Sequence, residues 1–493
     1  MANPVKLQVK RLDLQINPDP GRVLLRPLAF SSKEQGQNIL SRVLAIPQSQ
    51  ISDLLQTVLG EFEGRHQGLR EFMLERFEQV RSLLPSDQQI CSERKMLAGA
   101  YFCSEYALES SALFNPSIVA HPDQSSVPPG SVRFILSLRA TGEGHISSIT
   151  FRSGLLDAEG TLSLDPVSRF ALEPRRVHNP MFERELFGRK LFELGLASPF
   201  TRRMCEHLDD HFSLEDLQQC LARERWRGRN LVTDEQADLA VDDSILALAI
   251  SNYEIQFSPK QTLSERVIFP STPCQINGIE DARFVRFEEK GEPSRYYATY
   301  TAYDGRLILP QLIETDDFLK FRFITLNGPA AQNKGMALFP RKIDGRFAML
   351  SRQGGENIRL MYSPNIHFWY ESEDVIRPAY PWELVQIGNC GSPIQTEAGW
   401  LVLSHGVGPM RKYCIGAYLL DLDHPERLIG RLSEPLLMPT ESERDGYVPN
   451  VVYSCGGLVH AGRLILPYGV SDRSTKFASL DLKALLAELV GSL

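Results

Sequence analysis

Two adjacent carboxylates and an arginine stand together in the run Asn277-Gly278-Ile279-Glu280-Asp281-Ala282-Arg283, just before the segments Phe284-Val285-Arg286-Phe287 and Arg295-Tyr296-Tyr297-Ala298-Thr299-Tyr300-Thr301-Ala302-Tyr303. These are the parts a sugar site needs. A carboxylic acid protonates a departing glycosidic oxygen, an arginine holds its orientation, and aromatic faces pack on the apolar faces of pyranose rings. On residue types alone the Glu-Asp-x-Arg run reads first as an exposed turn closed by a salt bridge, worth about 0 to 1 kcal/mol. Catalysis is the second reading.

Other chemistry is harder to find. The eight cysteines, 91, 103, 205, 220, 274, 390, 414 and 455, are scattered without a CxxC pair, which signals neither a zinc site nor a disulfide framework. His207 and His211 stand four apart in an expected helix but lack further ligands, so no metal is expected. The aromatic residues Trp369, Tyr370 and Trp382 fall in an expected loop, where they form either a subsite for a leaving sugar or packing between sheets.

The elements that must position such a site fall into two textures. Apolar residues recur at helical spacing from about residue 33 to 110, as in LLQTVLGEF and LREFMLERFEQVRSLL, and again from about 181 to 250, where Ser213 with Asp216 and Thr233 with Gln236 have the spacing of N-caps. Short runs rich in Val, Ile, Phe and Tyr fill the rest, including SVRFILSLRA, NYEIQF, GWLVLSHGV and RLILPYGV. They read as antiparallel strands, broken at Asp304-Gly305, Asp344-Gly345 and Ala398-Gly399. No alternation of strand and helix argues for a parallel sheet. Strands that end in a polar residue recur at Arg139, Tyr303, Arg352, His405 and Asp472, as though five blades each aimed one side chain at a shared axis.

The bulk composition agrees with an ordinary folded chain: 493 residues, 43% hydrophobic, 23% charged and a net charge of -8. No basic block is long enough to track a phosphate backbone, which sets nucleic acid aside as a partner. No stretch approaches the roughly 18 apolar residues of a membrane span, and the N-terminus lacks the apolar core of a signal peptide, so a cytoplasmic protein without a membrane partner is expected.

The chain resembles glycoside hydrolase family 130, the β-mannoside phosphorylases and β-mannosidases, whose signature is Gly-x-Glu-Asp-Pro-Arg followed by a Tyr-Thr-Ala-Tyr strand. Residues 278–283 and 300–303 match it, with Ala282 in place of proline. Seven further segments match in the same order: Phe114-Asn115-Pro116, Leu138-Arg139-Ala140, Ala337-Leu338-Phe339-Pro340, Gly399-Trp400-Leu401, Ser404-His405-Gly406, residues 446–452 and residues 468–472. The resemblance implies a mainly β fold, a five-bladed β-propeller with an N-terminal helical region over 1–108, a first blade over 109–177, a helical insertion over 178–250 and the remaining blades over 251–493. The two helical stretches could pack together as one unit.

The resemblance also implies roles. Asp281 is the general acid, its proton reaching the glycosidic oxygen through the 3-hydroxyl of bound mannose. Asn115, Glu280, Arg283, Tyr303 and Asp472 bind the sugar. Arg139, Lys334, Arg352 and His405 bind inorganic phosphate, the co-substrate, and no cofactor is expected. Lys334 stands where arginine is more usual, and Gln395 where a lysine is common, so one cation is exchanged and another lost. The expected activity is inverting phosphorolysis of β-linked manno-oligosaccharides to α-mannose 1-phosphate. The alternatives are a β-mannosidase, with Glu441 or Glu443 activating water across a gap of about 6.5 to 9.5 Å, and a non-catalytic carbohydrate-binding propeller. A homo-oligomer is compatible with the helical regions.

Overall fold

The computed structural model describes residues 7–28, 30–84, 89–177, 181–228, 235–303 and 308–491. The Asp304-Gly305 turn and the Thr233 cap lie outside them.

The fold is mainly β. Five antiparallel sheets of four or more strands follow one another along the described chain. The first is built on Ala112–Ala120, Val132–Thr141 and Ser147–Leu156, the second on Ile279–Phe287, Arg295–Tyr303, Ile308–Thr315 and Lys320–Thr325. The third comprises Ala337–Leu338, Phe347–Ser351, Ile358–Ser363 and Ser372–Ile376. Gly399–Val407 and Tyr413–Leu420 are central to the fourth, Arg463–Val470 and Ser474–Asp481 to the fifth. Turn chemistry sets the hairpins: Asp344 and Gly345 both take positive φ, as a tight two-residue connection requires.

Strands such as Gly399–Val407, buried along their whole length, have neighbours on both faces. Each sheet accordingly shares a core with the next. Phe151 of the first meets Phe284 of the second, Leu312 of the second clusters with Met349 of the third, Leu360 of the third with Trp400 of the fourth, and Leu403 of the fourth with Leu464 of the fifth. The fifth returns to the first, where Phe477 and Ile465 cluster with Leu136 and Leu138.

Two boundaries differ from the sequence expectation. Residues 10–16, counted with the N-terminal helical region, form the strand Lys10–Ile16, which pairs antiparallel with Ser474–Asp481 and completes the last sheet with the beginning of the chain. The first two sheets also borrow across the insertion. Val267–Ile268 pairs with Ser147–Leu156 of the first, whereas Arg175–Arg176 joins Tyr253–Gln256 on the edge of the second.

The helical stretches are separate units. Lys33–Leu44, Gln48–Phe62, Leu69–Val80 and Ser92–Ala100 enclose a core around Phe77, Leu97 and Phe102. The insertion, with Arg184–Glu193, Pro199–Glu206, Leu214–Gly228 and Glu235–Ile250, has its own core around Phe187, Leu191, Met204, Phe212 and Leu217. Separate cores replace the single helical unit suggested above. The cap at Ser213 forms as expected: its Oγ accepts from Asp216 N at 3.2 Å while its own N–H donates to Asp216 Oδ2 at 2.8 Å. His207 and His211 do not share a helix, because His207 caps Pro199–Glu206 and His211 opens the strand His211–Ser213. Among the described residues no group of His, Cys, Asp and Glu could hold a metal ion.

Candidate active site

The five polar residues noted in the sequence fall one to a sheet: Arg139, Tyr303 and His405 within strands of the first, second and fourth, and Arg352 and Asp472 just past strands of the third and fifth. Two local distortions aim further side chains into the same region. Between Glu280 and Arg283 the second sheet carries a bulge, and Asp281 sits in it with φ +55°. The first sheet repeats the device between Phe114 and Ser117, where Asn115 has φ +49°. An extra residue in left-handed backbone turns a side chain out of strand alternation, and Asn and Asp adopt it at least cost.

The two bulges meet: Asn115 Nδ2 donates to Asp281 Oδ1 at 2.7 Å. Arg139 Nη2 donates to Glu280 Oε1 at 2.8 Å and Nη1 lies 3.5 Å from Asp281 Oδ1, while Nε donates to Ser147 Oγ at 2.8 Å. Arg139, expected on phosphate, is therefore committed to the two carboxylates. Gly278 permits the approach of the sheets, since a Cβ there would stand 2.9 Å from Ser147 N.

Arg283 is buried, and it shares the lining of a small cavity with Lys334. Its Nη1 donates to the Asp281 carbonyl at 3.1 Å, Nε to the Cys390 carbonyl at 3.2 Å and Nη2 to Tyr453 Oη at 2.6 Å. These bonds tie it to the Asp281 backbone. Tyr453, which the sequence reading missed, touches the next group as well, its ring standing edge-on to His405 at 4.9 Å. His405 Nε2 lies 3.2 Å from Arg352 Nη1. Among the described residues, His405 Nδ1, Arg352 Nε and Asn115 Oδ1 are buried without a hydrogen-bond partner. Gly388 makes room for the imidazole, because a Cβ there would stand 2.5 Å from His405 Cε1.

Lys334 is more open, 42% exposed, with Nζ 3.9 Å from Glu280 Oε2. Tyr303 ends its strand half-buried. Gln395 is elsewhere: it pairs with Trp400, five residues along the strand from His405, and accepts from Arg341 Nε at 3.0 Å. The expected loss of a cation at Gln395 thus does not fall in this cluster.

Electrostatics divide the acids. Burial pushes the Asp281 carboxyl up, but Arg139, Arg283, the Asn115 hydrogen bond and Lys334 outweigh it and hold the group below its usual value. Asp472 goes the other way, to about 6, because burial and the nearby Asp281 and Glu280 charges outweigh Arg139 and Arg411. His405 lies well below the ordinary histidine value, from burial first and then from Arg352, Arg283 and Lys334. Arg283 and Lys334 act on both Asp281 and His405, so the carboxylate and the basic group are within electrostatic reach of each other.

The other sequence candidates do not join them. Glu443 is buried on a short turn against the fifth sheet, accepting from Tyr468 Oη at 2.9 Å, from Lys476 Nζ at 3.3 Å and from Arg11 Nη2 at 3.4 Å. Glu441 is exposed on the same short turn. Trp369 is fully buried and Trp382 nearly so, their indole N–H groups donating to the Ile366 and Ser433 carbonyls, and only Tyr370 of the three aromatics is exposed.

A family profile described as beta-1,4-mannooligosaccharide phosphorylase matches residues 241–489, just over half of the chain. The chain belongs to glycoside hydrolase family 130. A family relative, the 1,2-beta-oligomannan phosphorylase of Thermoanaerobacter sp. (strain X514), is 33% identical over 248 residues, covering 49% of this chain and 79% of its own. The beta-1,2-mannobiose phosphorylase of Listeria innocua serovar 6a is 30% identical over 237 residues, 46% of this chain and 65% of its own. The solved structure of a Listeria innocua beta-1,2-mannobiose phosphorylase with beta-1,2-mannobiose superposes with a TM-score of 0.45 at 21% identity, over 77% of this chain and 92% of that one. The family 130 match takes in Asp281, Arg352, His405 and Asp472 but begins after Asn115 and Arg139, the two first-sheet residues that hold the Asp281 carboxylate.

Proposed function

We propose that the chain is an inverting phosphorylase of β-mannosides, with its five sheets as the five blades of a β-propeller and the site at one mouth of the central axis. The cyclic sharing of cores supports the propeller. One arrangement carries the reaction: a carboxylate is held by Asn115 and Arg139, Lys334 stands 3.9 Å from the adjoining Glu280, and Arg283 and Tyr453 link the Asp281 backbone to His405 and Arg352.

In this reading Asp281 supplies the proton to the leaving glycosidic oxygen. A phosphate oxygen attacks the anomeric carbon from the opposite face, the C–O bond to the leaving sugar breaks, and inversion gives α-mannose 1-phosphate. Charge-assisted bonds from arginine, lysine and an imidazole N–H suit the phosphate, each contributing about 1.5 to 3 kcal/mol. Asn115, Glu280 and Asp472 present short amide and carboxylate groups to vicinal hydroxyls. Arg139 keeps Glu280 and Asp281 together as a positioning residue. Hydrolysis is disfavoured because Glu443 is spent on Tyr468, Lys476 and Arg11.

The test is turnover of β-1,2- and β-1,4-mannobiose with and without phosphate, the product read by phosphorus and proton NMR. Phosphate-dependent α-mannose 1-phosphate is expected. Free mannose without phosphate would replace the proposal by hydrolysis, and sugar binding without turnover by a binding protein.

A further inference from the structure

One buried ionic pair lies outside the site and has no use in the reaction as drawn. Lys190, on the insertion helix Arg184–Glu193, is 5% exposed. Burying an ammonium costs several kcal/mol unless it is paired and hydrogen-bonded, and here it is both. Its Nζ donates to the Leu326 carbonyl at 2.9 Å and to Glu193 Oε2 at 3.1 Å. The other carboxylate oxygen, Glu193 Oε1, accepts from Gly328 N at 2.6 Å. Two side chains of one helix thus grip a carbonyl and an N–H two residues apart, on the segment that leaves the second sheet.

That segment leads to Lys334. It is gripped on its far side too: Asn327 N donates to the His367 carbonyl and Trp369 N to the Asn327 carbonyl, both at 2.8 Å. At Gly328, with φ +100°, a Cβ would stand 2.0 Å from the Trp369 carbonyl oxygen, so the backbone is wedged between helix and loop. Further on, Gln353 donates to the Ala330 carbonyl and Asn333 Nδ2 to the Gln353 carbonyl at 3.0 Å, tying the segment to the residue after Arg352. Lys334 is 42% exposed and has few side-chain contacts to hold it, so the place of its backbone sets the region its ammonium can reach.

We propose that the insertion helix Arg184–Glu193 braces the phosphate-side cations, with Lys190 and Glu193 as positioning residues that fix segment 326–334 and through it Lys334 and Arg352. The inference rests on the reading of Lys334 and Arg352 as phosphate ligands. The insertion does not need this grip for its own burial, since Phe187 and Leu191 of the same helix face the insertion's core. A methionine would fill the space of Lys190; what lysine and glutamate add is directional hold on two backbone groups.

The test is steady-state phosphorolysis by Lys190→Met, Lys190→Arg, Glu193→Gln and, as a control, Phe192→Ala, which changes a side chain 73% exposed on the same helix. Lys190→Met and Glu193→Gln are expected to raise KM for phosphate about fivefold or more, with kcat and KM for the mannoside within about twofold. Lys190→Arg should restore most of the loss, and Phe192→Ala should change nothing. The phosphate-induced rise in Tm should shrink in parallel, a readout independent of turnover. An unchanged KM for phosphate beside a lowered Tm would overturn the brace and leave a stability role only; equal losses in every parameter would overturn it too. Glu193→Gln, which keeps the side-chain shape, decides the matter if Lys190→Met does not fold. A wild-type protein that cleaves mannosides without phosphate would remove the reading of the site, and the brace with it.

Discussion

Asn115 Nδ2 donates to Asp281 Oδ1 across 2.7 Å, joining two bulges of two different sheets through side chains that both rise from left-handed backbone. The bond favours the ionised carboxylate, so its removal raises the pKa of Asp281. For Asn115→Ala the alkaline limb of the pH profile of kcat should move to higher pH while the maximum falls about 10- to 100-fold. A limb that stays in place would show that Asn115 does not act on the acid.

Arg139, Arg283 and Lys334 hold Asp281 ionised in the free protein, yet a general acid must carry a proton. Phosphate arriving at the basic group offsets part of that positive charge, and the Asp281 pKa rises. Binding of phosphate near pH 7 should therefore take up protons, read as a dependence of the calorimetric enthalpy on the ionisation enthalpy of the buffer. The uptake should vanish in Asp281→Asn, whose turnover should fall at least about 10²- to 10⁴-fold.

Asp472 is raised to about 6 in the folded protein, by burial and by Asp281 and Glu280. The folded state thus keeps a proton that the unfolded chain releases, between about pH 4 and 6, and stability falls as pH rises through that window. Asp472→Asn should be more stable than wild type at pH 7, by on the order of 1 to 2 kcal/mol in unfolding free energy, with the advantage closing toward pH 4. An equal difference at every pH would contradict the assignment.

His405 shifts in the opposite sense, kept neutral by burial and by Arg352, Arg283 and Lys334. As pH falls through the ordinary histidine value of about 6.5, the unfolded state binds a proton that the folded state refuses, so this contribution to stability is lost on acidification. Its imidazole resonance should not titrate between pH 8 and 6. His405→Gln should raise KM for phosphate about tenfold, consistent with the loss of one charge-assisted hydrogen bond.

Glu443→Gln leaves Tyr468, Lys476 and Arg11 facing a neutral amide in a buried place. A loss of about 2 to 4 kcal/mol in unfolding free energy is expected, by denaturant titration, with the phosphate requirement unchanged. A variant of normal stability that has lost cleavage would make Glu443 a functional residue after all.

Asp281 was legible in the sequence as a candidate because its motif is local, with two acids, an arginine and the strand they introduce lying inside one short run. Its partner Asn115 is 166 residues away, and nothing short of the folded sheets tells which asparagine meets which aspartate. Arg283 and Glu443 were harder to place, because the sequence does not tell which charged residues the fold encloses. Here one is bonded to two carbonyls and a tyrosine, and the other is enclosed by a tyrosine and two cations. The strand at 10–16 did carry a signal, Leu12, Leu14 and Ile16 alternating with polar residues, though its partner stands at the far end of the chain.

That pairing has a consequence for synthesis on the ribosome. Lys10–Ile16 is made long before its partner Ser474–Asp481. For most of translation the early strand has an open edge and an apolar face with nothing to bind, the condition under which strands find the wrong partner. The fifth sheet closes only when Ser474–Asp481 reaches the waiting strand, so shielding of Lys10–Ile16 by a chaperone should raise the yield of folded protein.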